Sequence, residues 1–163
     1  MNVMAPTNTM VPRPTELHLC RLQLASGPGA AAEARTRVRA AIRTWDVPAD
    51  PDVAVLLTSE LVTNAIRHEP GGTVTLAITR TRDRLRVDVH DTSRYLPVLV
   101  NSPADAETGR GLLLVSGLSA EWGVYRTRPG KAVYFTLALR HSRAGRGTRG
   151  PRRLAAAVPA AGG

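Results

Sequence analysis

Residues 58–68 read Thr-Ser-Glu-Leu-Val-Thr-Asn-Ala-Ile-Arg-His, a helical stretch that carries polar residues inside its apolar stripe. At about 100° per residue, Glu60 and Asn64 project between Val53, Leu56 and Leu57 and share the stripe with Leu61, the side expected to face a core. A buried carboxylate without a partner is costly. Either Glu60 is partnered or the stripe borders a cavity, and a bound cation or ligand would resolve the conflict. The plainer alternative sets Glu60 at the rim, paired with an arginine, with Asn64 as a buried hydrogen-bonder.

The rest of the chain supplies a scaffold for that helix. Residues 1–15 are rich in Pro, Thr and Asn and without periodicity, as expected of a disordered leader. A first strand is predicted around Leu17, Leu19, Leu22 and Leu24, stopped by Ser26-Gly27-Pro28-Gly29. A helix over 30–45 follows, with Ala34, Val38, Ala41, Ile42 and Trp45 on one side and Arg35, Arg39 and Arg43 on a solvated face. Asp50 and Asp52 are available to cap the central helix, and Glu69-Pro70-Gly71-Gly72 ends it near His68. Strands over 74–81 and 85–91 form a hairpin. Another is expected over 122–127 and 132–139, turning at Arg128-Pro129-Gly130-Lys131. The folded unit spans 16–140, followed by an unstructured tail over 141–163.

The net charge of +9 is concentrated in that tail, where Arg140, Arg143, Arg146, Arg149, Arg152 and Arg153 meet no acidic residue. No aromatic residue or readout motif accompanies them, so nucleic acid ranks low as a partner. The single cysteine, Cys20, excludes an intramolecular disulfide and fits a small core residue in a reducing compartment. With no signal-like segment and no apolar run of spanning length, the expected location is cytoplasmic and no membrane partner is expected.

A second acid points inward. Leu85, Val87 and Val89 share a strand face, and continuing that phase puts Asp91 on the same buried face at the strand's end. Residues 92–110 then form a connection too long to be ordinary, typical of a functional lid or of disorder. It closes on Gly109-Arg110-Gly111, read as the start of a buried helix containing Leu112, Leu113, Val115 and Leu118. Taken alone, such glycines often make only a turn, but N–H groups freed at a helix start also suit phosphate. Asn64 offers a hard oxygen that suits Mg²⁺, Glu60 one turn earlier could act as a base, and an ionised Asp91 suits an exocyclic amino group. Asp91 could equally be a strand-end turn former.

The order Glu60-Leu61-Val62-Thr63-Asn64-Ala65 with His68, then Asp91, then Gly109-Arg110-Gly111-Leu112 resembles the GHKL ATPase superfamily, most closely the bacterial anti-sigma-factor serine/threonine kinases. The similarity covers about 17–139. It implies a two-layer α/β sandwich of the histidine-kinase-like ATPase (Bergerat) type, with helices on one face of a mixed, mainly antiparallel sheet. It also implies ATP and Mg²⁺ as cofactors, Glu60 as general base, Asn64 as the Mg²⁺ ligand, Asp91 as reader of the adenine amino group, and Gly109 and Gly111 over the phosphates. His68, Arg110 and Leu112 fall among the nucleotide-binding positions. Where the wider superfamily has two glycines after the aspartate, this chain has Ser93 and Tyr95, changes that would narrow the adenine side.

The resemblance implies a kinase that phosphorylates a partner protein, a sigma factor or its antagonist being the expected partner. The alternative is a non-catalytic nucleotide-binding regulator that sequesters such a partner. Homodimerisation is left open.

Overall fold

The computed structural model describes residues 16–94 and 106–140, with the backbone alone for 106–110. The leader, residues 95–105 of the expected lid (Tyr95 among them) and the tail from 141 lie outside the described residues. Eight elements follow in order: β1 (Glu16–Ala25), α1 (Ala30–Thr44), α2 (Pro51–His68), β2 (Thr73–Thr81), β3 (Arg84–Asp91), α3 (Ala106–Leu118), β4 (Glu121–Arg126) and β5 (Lys131–Ala138). Every predicted strand and helix is present. Asp50 caps α2, its carboxylate accepting from the N–H groups of Asp52 (2.9 Å) and Val53 (3.3 Å), and Pro51 occupies the first turn, where its missing N–H costs nothing.

The strands form one sheet in the order β1-β2-β3-β5-β4, and all four pairings are antiparallel, in line with the mainly antiparallel sheet expected. Alternation divides its residues between two faces. One face carries Leu22, Leu24, Leu76, Ile78, Leu85, Val87, Val89, Val133, Phe135 and Leu137, which join the core cluster with α1, α2 and α3. This is the two-layer α/β sandwich. Leu57 and Leu61 of α2 are buried against it, each worth about 1.5–3 kcal/mol. Among the described residues no helix is long and apolar enough to cross a membrane.

Several expectations need correction. Cys20, opposite Ile78 on the core-facing side of β1, is only half-buried and packs against the core cluster without being enclosed by it. Leu56 is 39% exposed, so the buried stripe of α2 is Ala54, Val55, Leu57, Thr58, Leu61, Val62 and Ala65, displaced from Glu60 and Asn64. The helix α3 begins at Ala106, so Gly109 and Gly111 lie inside it and do not start it. It is also not buried all round: Leu112 and Val115 enter the core, while Leu113 and Leu118 are largely exposed, an amphipathic helix packed chiefly against α2.

Candidate nucleotide site

β3 delivers Asp91 to the floor of a cleft between the sheet and α2. Its inward phase, expected from Leu85, Val87 and Val89, is observed, and the residue is 3% exposed. Two neighbours hold it. The N–H of Ser93 donates to Asp91 Oδ1 (2.9 Å), and so does Nζ of Lys131 (3.1 Å), which lies directly opposite in the β3–β5 register. The Lys131 and Asp91 side chains are 2% and 1% exposed, a fully buried ion pair. Glu69, just past the end of α2, accepts from the N–H of Thr92 (2.7 Å) and ties the helix to the end of β3. Gly130 is required at the β4–β5 turn, because a Cβ there would fall on the carbonyl oxygen of Asp91 and the backbone of Thr92.

The cleft is lined by Leu61, Asn64, Ala65 and His68 from α2, Val89 and Asp91 from β3, Leu112 from α3, and Lys131 and Val133 from β5. Its walls are therefore apolar, with polar groups gathered at Asp91 and along the α2 rim. Asn64 is half-buried, and its Nδ2 is buried with no hydrogen-bond partner among the described residues. Such an orphaned group carries a desolvation penalty of about 1–3 kcal/mol unless something outside the chain satisfies it. A half-turn of the same amide presents its oxygen instead. His68 is exposed at the mouth, and Leu112, 1% exposed, serves as a wall.

Glu60 is half-buried and stands beside the cleft lining. Among the described residues it enters no ion pair, so the rim position expected by the plainer reading is present and no arginine among them pairs with it. What faces it is α3. A Cβ on Gly111 would lie 2.6 Å from Glu60 Oε2 and 3.7 Å from Asn64 Nδ2. A side chain at Gly111 would therefore displace the Glu60 carboxylate from its present position, an effect that does not depend on starting a helix. Gly109 and Arg110 belong to the same helix, and their side chains lie outside the described residues.

The structure thus brings Asn64, His68, Asp91 and Leu112 to one cleft and sets Glu60 and Gly111 at its edge. Sequence reasoning missed Lys131 and Gly130. The signal was available: stepping back by two from Val133 along the inward phase of β5 reaches Lys131. Among the described residues no cluster of three or more His, Cys, Asp and Glu could hold a metal unaided. Mg²⁺ needs fewer protein ligands than that, because it keeps water and takes phosphate oxygens, so Asn64 with Glu60 nearby is a sufficient set. The apolar walls, the carboxylate at the floor and the orphaned amide together fit a nucleotide with its cation.

Comparison with known proteins agrees with this architecture. No curated protein sequence matches the chain. Among solved structures, the RsbU and RsbW domains of Rv1364c from Mycobacterium tuberculosis superpose with a TM-score of 0.57 at 19% identity, covering 75% of this chain and 32% of that one. The chain therefore spans about a third of that protein's length, and the likeness concerns the fold. The model of the histidine kinase-like ATPase domain matches residues 24–137, more than half of the sequence and every element from the end of β1 to β5. With the GHKL motif order in place on the matching fold, the chain belongs to the histidine kinase-like ATPase domain family.

Proposed function

We propose that the cleft binds ATP with Mg²⁺ and that the protein is an anti-sigma-factor-type serine/threonine kinase acting on a partner protein. The observation that carries this reading is the juxtaposition of a buried carboxylate, Asp91, with an unpartnered buried amide, Asn64, across an apolar cleft. Asp91 accepts hydrogen bonds from the base, Leu61, Ala65, Leu112 and Val133 exclude water from it, and Asn64 turns its oxygen to the cation. Asn64 would hold the Mg²⁺, which when bound would supply neutralisation of phosphate charge for phosphoryl transfer. Glu60, whose carboxylate occupies the space a side chain at Gly111 would take, would accept the proton of the acceptor hydroxyl as that oxygen bonds to the γ-phosphorus and ADP leaves. The motif order shared with the anti-sigma-factor kinases points to a serine or threonine of a protein as that acceptor and to a regulatory outcome.

The test is a titration with a fluorescent ATP analogue, with and without Mg²⁺, followed by γ-phosphate transfer to a candidate partner. Asn64→Ala is expected to lower Mg²⁺-dependent affinity by about tenfold or more, with unchanged circular dichroism. Glu60→Gln is expected to reduce transfer by about 10²–10⁴-fold with nucleotide still bound. Binding without transfer in the wild type would instead establish the non-catalytic regulator. Absence of binding would remove both readings.

A further inference from the structure

We propose that the protein forms a symmetric dimer through its edge strand β1, two copies pairing antiparallel about Leu19 so that one sheet continues across both protomers. The inference is independent of the nucleotide reading, and it names a second copy of this chain as the partner of that edge.

β1 is bonded to β2, and no other strand among the described residues pairs with its second side. It is ten residues long, Glu16–Ala25, whereas β4 at the opposite edge has six, with Gly123 inside it and charges at both ends. An unpaired edge presents a row of N–H and C=O groups ready to template another chain, and edges that stay single are commonly short, covered, or broken by lysine or proline. β1 contains neither lysine nor proline. Its apolar side chains are also left partly in solvent: Leu17 is 56% exposed, and Leu19 and Leu22 are half-buried.

The register against β2 makes this edge complementary to itself. Glu16, Leu19 and Arg21 stand opposite Thr81, Thr79 and Ala77, so all three lie on the outer face at equal steps along the ladder. Residue numbers alone hide that spacing. The bulge between Glu16 and His18 drops Leu17 from the ladder and brings Glu16 into phase, with Leu19 midway between the acid and the arginine. A two-fold axis through Leu19 therefore sets Glu16 opposite Arg21 of the second copy, and Arg21 opposite its Glu16. The result is two opposite-charge cross-strand pairs around a central leucine contact. On the inner face the same axis sets His18 opposite Cys20 of the second copy. Neighbouring registers lose these pairs: an axis through Cys20 puts Arg21 against Leu19, and an axis through Arg21 puts the two arginines against each other. Charge thus selects Leu19 as the centre.

The experiment is analytical ultracentrifugation of the full chain over about 1–100 μM, the range of a reversible dimer of modest affinity. Wild type is compared with Arg21→Glu and with the exchange that combines Glu16→Arg and Arg21→Glu. Wild type is expected to dimerise within that range. The single reversal sets like charges opposite each other at both sites of the two-fold and should weaken the dimer by about tenfold or more. The exchange restores opposite charges and should return association to within about threefold of wild type. Arg21 is exposed, and circular dichroism checks that each variant is folded. Amide hydrogen exchange tests the same edge without any substitution: N–H groups over 16–21 that do not bond to β2 should gain protection in wild type as its concentration rises. A chain that stays monomeric throughout, the result expected if residues 1–15 pair with this edge instead, overturns the inference. So does a dimer whose 16–21 amides stay unprotected, a single reversal that loses nothing, or an exchange that recovers nothing, because another face then joins the copies.

Discussion

Asp88 and Asp91 are three residues apart on β3, both almost fully buried, and they face opposite sides of one sheet. On the outer face, the Asp88 carboxylate is saturated. Arg86 donates to it twice, from Nε to Oδ2 (2.8 Å) and from Nη2 to Oδ1 (2.7 Å), and the Tyr125 hydroxyl donates to Oδ1 (3.0 Å). The guanidinium lies 3.8 Å from the ring centroid of Tyr134, whose hydroxyl donates to Glu121 (2.8 Å), and Arg84 donates to the same carboxylate. On the inner face, Asp91 borders a cleft and is held on one oxygen by a backbone N–H and a flexible ammonium. Burial and charge are alike in the two places. What separates the two acids is whether their partners form a closed, rigid set or a rotatable one beside open volume.

Removing one member of each pair should expose that difference. Asp88→Ala leaves Arg86 and Tyr125 without their acceptor, and breaking a buried pair costs about 3–5 kcal/mol. Arg86 is 36% exposed and recovers some hydration, so a loss of about 2–3 kcal/mol in urea unfolding is expected, with no change in the nucleotide affinity of the folded fraction. A loss below about 0.5 kcal/mol would show that water substitutes for the network. The inner pair should behave in the opposite sense. Asp91→Leu combined with Lys131→Met replaces a buried pair by apolar groups, which leaves stability within about 1 kcal/mol of wild type or above it. Nucleotide affinity should nonetheless fall by about tenfold or more, read with the same fluorescent analogue.

How much of this the sequence discloses differs between the two faces. The phase of Leu85, Val87 and Val89 places Asp91 inward, and the caps, glycines and prolines place every strand and the first two helices closely, while α3 begins several residues before the glycines read as its start. The same alternation puts Asp88 outward but gives no hint that it is covered. Its cover comes from Tyr125 and Tyr134, brought over it by the β3–β5 and β5–β4 registers, which no single segment records. Lys131 was legible by phase but sat within an apparent turn, and turn residues are not ordinarily read for facing. The helix α3 misleads in another way. Its run of leucines gives no polar marker of its outer side, and its glycines imitate a helix start while permitting contact with Glu60.

The smallest expected effect sharpens the comparison through pH. The Tyr125 hydroxyl is pushed up to about 12, chiefly by burial and then by the negative charge and hydrogen bond of Asp88. The neutral phenol is thus favoured in the folded protein over the unfolded chain, where it ionises near 10. Because the folded value is raised, the stabilisation is fully present below pH 10 and is lost as pH rises from about 10 through about 12. Tyr125→Phe removes both the hydrogen bond and this titration. At neutral pH it should cost about 1 kcal/mol, the usual worth of one hydrogen bond. Tyr125 keeps part of its surface in solvent, which reduces the alkaline component, so the informative quantity is the stability difference between wild type and variant measured at pH 8, 10 and 11.5. That difference should shrink as pH rises. A constant difference would mean that the phenol ionises alike in the folded and unfolded chain and that Asp88 and burial do not hold it neutral.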